Sequence, residues 1–400
     1  MKKIFYLFLL ISVKSYAQSN TDCFSIEPGQ IIEVPENSQV GDTIATIQYC
    51  SSGEWKKIEK KYFSTLALKE NGQLYTWGIN GEGGNWPPIT AGADPTQQII
   101  FDPYLVKDPT DNTQDFILDD IASSIYLAFG IKSEDKSLWG WGRDQDGQLG
   151  IGENPNEVYP DFVDYRTPQL LNNSTTWKTV SAGSFHGNAI DTEGKLWGWG
   201  YADNSYDQNG FNTIKYTPTQ VGTDSDWDVV SCGYQNTYLI KENGTLWVMG
   251  LNSLGSSGLG ENPTEEGIVQ IGTDSDWSIV NSYGRGAIAI KDNGELYVWG
   301  HNDNGKLGFN SSDTPYVSNP TQIPGTENIN FIYADVGRRH GLASDIDGNF
   351  YGWGENLSGQ LGNGEIETFE EFQLIDTGDI LVRQVSAAGR TSGFISEGGS

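Results

Sequence analysis

The chain is short of most residues that do chemistry. Its 400 residues include three Cys, three His and two Met. No Cys-His zinc spacing occurs among them, and no G-x-S-x-G, H-E-x-x-H or phosphate-loop motif occurs. Close carboxylate pairs carry no information, because 53 Asp and Glu guarantee them. Cations are scarce: 24 Lys and Arg leave a formal charge of −29. Such a chain repels phosphate backbones and anionic bilayers, so neither nucleic acid nor membrane insertion is expected. Beyond the first residues no run is long and apolar enough to span a bilayer. No catalytic residue, metal ligand or cofactor is assigned, the chain is not read as an enzyme, and a monomer is expected.

What is present begins with an address. Lys2 and Lys3 precede the apolar run IFYLFLLISV, and Ser15 and Ala17 are small residues before a cleavage point. Residues 1–17 read as a signal peptide, which makes the expected localisation secreted or cell surface. Cleavage removes Lys2, Lys3 and Lys14 and takes the net charge from −29 to −32. Disulfides are permitted in that compartment. Cys23 and Cys50 sit in residues 18–54, read as an accessory segment, and their pairing is open. Within it, TIATIQY (43–49) suits a ring-closing strand. Cys232 occupies a slot that holds Ala182 in another repeat, and reads as a small buried filler.

Repetition is the main signal. WKTVSAGSFHGNAIDTEGKLWGWG (177–200) aligns with segments starting at Trp55, Trp227 and Trp277, with one spacing from first Trp to last Gly. A copy at 331–354 has Phe for the leading Trp, and one at 117–142 has a longer turn at SEDKS. Twelve of the 13 Trp fall in repeat slots, so Trp abundance reflects core. The W-x-x-V, A-x-I and L-x-x-W-G segments alternate like strands. ENG, TEG, DNG and IDG read as two-residue hairpins with positive φ at the Asn or Asp and the Gly. A fourth strand opens on Pro in PYLV (103–106), PQLL (168–171), PTQV (218–221) and PTQI (320–323). The expected fold is all-β: a seven-bladed β-propeller of four-stranded antiparallel blades over residues 55–400. Its last blade is incomplete, because VSAAGRTSGFISEGGS (385–400) matches VSAGSFHGNAIDTEGK (180–195) and stops at the hairpin. Whether the natural chain continues past Ser400 is open.

The spaced set Gly183, His186, Ala189, Ile190, Gly194, Leu196, Trp199 and Gly200 resembles the regulator of chromosome condensation repeat family. So do DQDGQLG (144–150), NGKLG (304–308) and LSGQLG (357–362) after the W-G. The resemblance implies a seven-bladed propeller. The family's namesake is a nuclear exchange factor for a small GTPase that also binds chromatin, a role that a secreted acidic chain does not fit. Secreted bacterial members, which act by binding another protein, are nearer in compartment, and the chain is read as one of that type. The family pattern places a structural His at His186 and His340; His301 has no repeat partner. DQDGQLG, HNDNGKLG (301–308) and SDIDGNF (344–350) resemble pieces of a calcium loop, but the full pattern fits none of them, and calcium binding is left open.

Strand direction places the loop between the first two strands and the loop after W-G on one face, the top. The slot fifteen before the closing Gly forms a ring there: Phe63, Ile125, Phe185, Gln235, Arg285, Arg339 and Arg390. With Arg338, four of seven Arg crowd one arc. Arg in a cluster suits bidentate carboxylate or phosphate binding; the alternative is pairing with acids of its own loops. Trp86, near the tip of the 79–102 loop, is a candidate anchor. The partner-binding set is therefore Arg285, Arg338, Arg339, Arg390, Trp86, Phe63 and Phe185. The expected function is a secreted module that binds a protein or a surface glycan through the top face. Alternatives are an enzyme or inhibitor-like propeller holding a small acidic ligand, or a structural module of a longer chain.

Overall fold

The computed structural model describes residues 55–60, 64–79, 99–152, 164–171, 174–201, 210–211, 213–261, 267–389 and 391–397. The segments read as a signal peptide and as an accessory segment with Cys23 and Cys50, and the candidates Phe63, Trp86 and Arg390, lie outside the described residues.

Each repeat folds as an antiparallel sheet with strands in sequence order. Blade 1 comprises β1 (Trp55–Lys60), β2 (Ser64–Lys69), β3 (Leu74–Ile79) and β4 (Ile99–Leu105). Blade 2 comprises β5 (Leu118–Ser123), β6 (Leu127–Lys132), β7 (Leu138–Arg143) and β8 (Asp164–Leu170). Blade 3 comprises β9 (Trp177–Ala182), β10 (His186–Asp191), β11 (Leu196–Gly200) and β12 (Lys215–Gln220). Blade 4 comprises β13 (Trp227–Cys232), β14 (Asn236–Lys241), β15 (Leu246–Gly250) and the short β16 (Val269–Gln270). Blade 5 comprises β17 (Trp277–Tyr283), β18 (Gly286–Lys291), β19 (Leu296–His301) and β20 (Tyr316–Gln322). Blade 6 comprises β21 (Phe331–Val336), β22 (His340–Asp345), β23 (Phe350–Gly354) and β24 (Phe369–Ile375). The last repeat forms a two-stranded sheet of β25 (Val382–Ala387) and β26 (Ser392–Ser396). The described residues thus hold six four-stranded blades, not seven, because the final copy supplies only its first two strands.

Burial changes from axis to rim. First strands alternate, as in β9, where Trp177, Val180 and Ala182 are buried and Lys178 is exposed. Second strands such as β10 and β18 are buried along their whole length, because blades pack on both faces. Fourth strands such as β8 are exposed or half-buried at all but one position. Each core cluster is shared between neighbouring blades. Phe129 of blade 2 meets Trp199 of blade 3 edge-on at 5.3 Å, for example. The prolines do not open the fourth strand. Pro218 sits inside β12 where pairing jumps from Gly198–Thr219 to Gly200–Lys215, and the outermost strand can spare the donor at that bulge.

The hairpins differ in type from the two-residue reading. Only the Gly is left-handed, with φ of +83° at Gly72 and +82° at Gly294. Gly72 N–H donates to Lys69 O at 2.9 Å, giving a type I turn with a glycine bulge. The Asn side chain closes the turn instead: Asn293 Oδ1 accepts Glu295 N–H at 3.0 Å. Beside these turns the TDSD segments cap a buried lysine. Lys291 Nζ lies 5.0 Å over Trp277 and 5.3 Å over Tyr297, with Asp274 at 2.7 Å and Asp276 at 3.1 Å.

Neighbouring blades are tied by polar side chains. Ser181 Oγ accepts Cys232 N–H at 2.9 Å, and Asp335 Oδ2 accepts Ala387 N–H at 2.8 Å. The first and last described sheets meet in the same way: Ser386 Oγ accepts Lys60 N–H at 3.0 Å. Arg383 donates to Trp55 O at 2.7 Å, and Ile395 packs with Trp55 and Ala67. His186 Nε2 meets Thr237 Oγ1 at 3.0 Å, and His340 Nε2 meets Ser392 Oγ at 2.8 Å. Thr237 already donates to Asn188 Oδ1, so His186 Nε2 is the donor to Thr237. Both His are fully buried, and burial pushes them down to about 3 for His186 and about 4 for His340.

Two outcomes are expected. Ile395→Ala opens a void in the closing seam and lowers stability by ~2–4 kcal/mol in urea unfolding. Below the ordinary histidine value of 6.5 the unfolded chain binds protons that His186 and His340 refuse in the fold. Stability is therefore complete above pH 6.5 and declines as pH falls from there towards 4. The slope is ~1.4 kcal/mol per pH unit for each His, and His340→Gln removes about half of it. Urea midpoints across that window read the difference.

Candidate functional site

The top face is pinned by the closing glycines. The N–H after each closing Gly donates to the carbonyl just before the second strand. Tyr201 donates to Phe185 at 2.8 Å, Leu251 to Gln235 at 2.9 Å, His301 to Arg285 at 2.9 Å and Glu355 to Arg339 at 2.8 Å. That geometry requires a left-handed residue: φ is +98° at Gly300, where a Cβ would lie 2.2 Å from Arg285 O. The slot read from spacing is thus a structural ring. In blade 2, however, its occupant is Tyr126, whose carbonyl accepts Arg143 N–H at 2.9 Å, and not Ile125. The SEDKS turn adds one residue, so Leu127 pairs Gly142 where His186 pairs Gly200.

The face divides into two arcs. Over blades 2 to 4 it is aromatic. Phe185 lies 6.0 Å from Tyr126, 5.6 Å from Tyr234 and 6.3 Å from Tyr201, and the Arg143 guanidinium covers Tyr126 at 4.5 Å. Over blades 5 and 6 it is cationic, with Arg285 and Arg339 half-buried and Arg338 exposed. Tyr234 N–H donates to Gly284 O at 2.9 Å, which joins the two arcs. Arg338 N–H donates to Ala388 O at 2.9 Å, which joins the cationic arc to the last sheet.

The arginines are not equivalent. Arg339 Nη1 holds Glu355 Oε2 at 2.7 Å, and the Glu355 side chain is only 3% exposed. Asn304 Nδ2 donates to the same oxygen at 2.9 Å. Arg339 therefore serves an ion pair of its own loops, the alternative the sequence left open. The Arg285 side chain makes no hydrogen bond or ion pair among the described residues. Beside it stands a residue the sequence reading passed over. Lys306, in the NGKLG turn, is 3% exposed, and its backbone carbonyl accepts Trp353 Nε1–H at 2.8 Å. Burial pushes its ammonium down to about 8, opposed by Asp303 and aided by the charges of Arg285 and Arg338. His301 Nδ1 lies 2.8 Å from Asp303 Oδ2, and burial lowers its pKa. The available signal was a Lys where DQDGQLG and LSGQLG carry Gln.

Other candidate chemistry is absorbed by the fold. His186 and His340 are fully buried and only weakly basic, so neither is placed to take a proton from a ligand on the top face. Cys232 is a free, buried thiol pushed up to about 11 by burial. Asp144 Oδ1 accepts Leu149 N–H at 2.8 Å and Asn302 Oδ1 accepts Leu307 N–H at 2.9 Å, so the acidic loops use these groups to close their own turns. Among the described residues no group of three His, Cys, Asp or Glu is arranged to hold a metal ion. No described helix is long and apolar enough to cross a membrane. The ring axis holds a cavity of about 310 Å³ walled by first strands, including Glu59, Lys60 and Asp335. Burial raises the Asp335 carboxyl to about 8 while it accepts Val336 and Ala387 N–H.

The family model of the RCC1-like domain matches residues 36–394. The chain is 29% identical over 160 residues to the mitochondrial RCC1 domain-containing protein RUG3 of Arabidopsis thaliana, covering 39% of this chain and 33% of that one. It is 27% identical over 148 residues to protein pim1 of Schizosaccharomyces pombe, covering 36% and 26%. The matched stretches thus span a third or less of these curated relatives. Among solved structures, human WBSCR16 superposes with a TM-score of 0.72 at 17% identity, covering 87% of this chain and 88% of that one. Prp20p of Saccharomyces cerevisiae superposes with a TM-score of 0.70 at 18% identity, covering 86% and 82%. At such identities the likeness establishes the propeller fold alone.

The division of labour among the arginines is measurable. Arg339→Ala strips Glu355 of its guanidinium and lowers stability by ~1–2 kcal/mol, discounted for the exposure of the pair. Arg285→Ala stays within ~0.5 kcal/mol of the unaltered chain. Urea unfolding of the two variants checks both values.

Proposed function

The chain belongs to the RCC1-like domain family, and on that premise we propose that it is an extracytoplasmic module that binds another protein through its top face. The observation that carries this reading is the joining of an aromatic arc, centred on Phe185, to a cationic arc containing Arg285 and Arg338. Clustered aromatics and Arg are the residue types that dominate protein interfaces. Prp20p of Saccharomyces cerevisiae has binding properties towards Gsp1p and histones, and yeast RCC1 has been solved bound to Kap60. Those partners belong to those proteins; what they support here is a protein as the class of partner. The signal peptide at 1–17 supports placement outside the cytoplasm. No described side chain is proposed as a catalyst. We also read the two-stranded sheet as the inner half of a seventh blade, which agrees with its seams to blades 6 and 1.

The test spares Arg339, which the fold uses. The full chain and an Arg285→Ala/Arg338→Ala version are immobilised and exposed to proteins of the native surroundings. A protein retained by the first and reduced at least tenfold on the second is the expected result. Equal retention on both would move the search away from this arc.

A further inference from the structure

We propose that Lys306, with Arg285 and Arg338, forms a carboxylate-binding pocket at the seam of blades 5 and 6 that takes an acidic side chain of the partner. The proposal rests on the protein-binding reading of the top face and names the chemistry of its cationic half.

Lys306 occupies a repeated slot, and its neighbours show what the slot does elsewhere. Gln148 Oε1 accepts Asp146 N–H at 2.6 Å, Gln360 Oε1 accepts Ser358 N–H at 2.9 Å, and Ser256 Oγ accepts Ser253 N–H at 3.0 Å. Each of these side chains closes its own turn. An ammonium has no lone pair to accept with, so Lys306 gives that bond up. It gains no other: Lys306 Nζ makes no hydrogen bond among the described residues, although the residue is 3% exposed. A cation taken out of water without an acceptor is a cost to the fold.

The ammonium also lies where a ligand can be shared. It rests 3.3 Å from the position a Cβ on Gly286 would occupy, directly beneath the Arg285 loop. The acids near it are already engaged. Asp303 is held by His301 at 2.8 Å, and Glu355 by Arg339 at 2.7 Å and Asn304 at 2.9 Å. The charged and titratable groups around Lys306 are thus Arg285, Arg338, His301, Asp303 and Glu355, and no local carboxylate hydrogen-bonds to it. A single carboxylate would neutralise Lys306 and accept from the neighbouring guanidinium. A doubly charged phosphate would face Asp303 and Glu355 at the rim, which favours the carboxylate.

Melting of the full chain in acetate, sulfate and chloride at matched ionic strength tests the pocket. Lys306→Gln restores the turn acceptor and removes the buried charge, so its melting temperature rises by about 2 °C or more in chloride. Acetate at ten times its dissociation constant raises the unaltered chain by about 2 °C and Lys306→Gln not at all. Arg285→Ala reduces the acetate gain, and the gain shrinks above pH 8, where the free Lys306 loses its proton. Lys306→Met is the second variant and gives the same loss of acetate response. A lower melting temperature for both Lys306 variants would make the lysine a fold residue and overturn the proposal. So would equal acetate gains in all chains, or a larger gain from sulfate than from acetate. Acetate gain without any captured partner faults the protein-binding reading and leaves the pocket; a partner captured without acetate gain faults the pocket alone.

Discussion

Each blade must meet the open edge of the next, and around a ring that requirement has to close on itself. First strands leave backbone N–H groups facing the seam, and a buried N–H without a partner is costly. Here a side chain from the preceding blade accepts it. Ser181 serves Cys232, Asp335 serves Ala387, and Ser386 serves Lys60 across the junction of the last and first described sheets. The position that supplies these acceptors is one slot of the repeat, inward-facing and polar. The second layer of the seams is apolar, with a Trp ring of one blade meeting a Phe or Tyr ring of its neighbour edge-on. Everything on the top face inherits its rigidity from these two layers.

That rigidity explains how loops can carry a precise surface. The closing Gly and the carbonyl before the second strand lock each top loop to its own blade, and Tyr234–Gly284 and Arg338–Ala388 lock neighbouring loops together. Slot identity then sets the character of the face blade by blade. Tyr126 and Phe185 make one arc aromatic, and Arg285 and Arg339 make the other cationic. The repeat supplies the positions; substitution within a slot supplies the chemistry. Lys306 shows the same logic in a second slot, where a turn-closing Gln or Ser gives way to an ammonium.

The repeat, the strand order and the faces were legible because Trp, Gly and β-branched residues recur at fixed spacing, and that spacing maps onto the register of antiparallel pairs. What spacing conceals is register where a turn changes length. SEDKS adds one residue, not the two that placing the ring slot at Ile125 assumes, so the slot falls on Tyr126, and half of the aromatic arc was hidden. The hairpin type was missed for a related reason: ENG fits a two-residue loop by composition, while the strand pairing demands a bulge. Arg339 illustrates a third limit. Its partner Glu355 is 16 residues away in the loop after β23, and only the fold brings them together. Lys306 went unread because a Lys inside a glycine turn looks like solvent-exposed decoration until burial is known.

The charge of the chain gives the cationic arc its meaning. Several lysines elsewhere are absorbed by nearby acids: Lys241 by Asp224 and Asp226, Lys291 by Asp274 and Asp276, Lys132 by Asp108. With 53 acids to 24 cations, pairing a cation is the easy outcome, and an unpaired one has to be kept apart from the acids around it. On blades 5 and 6 that separation is built in, because His301 occupies Asp303 and Arg339 occupies Glu355. The long-range field of a chain at −29 repels an acidic partner, so steering cannot deliver it. Recognition on this face has to operate at contact distance, where a partly desolvated ammonium and guanidinium are little screened. A partner that first engages the aromatic arc would bring its carboxylate within that range, which is why the two arcs belong to one surface.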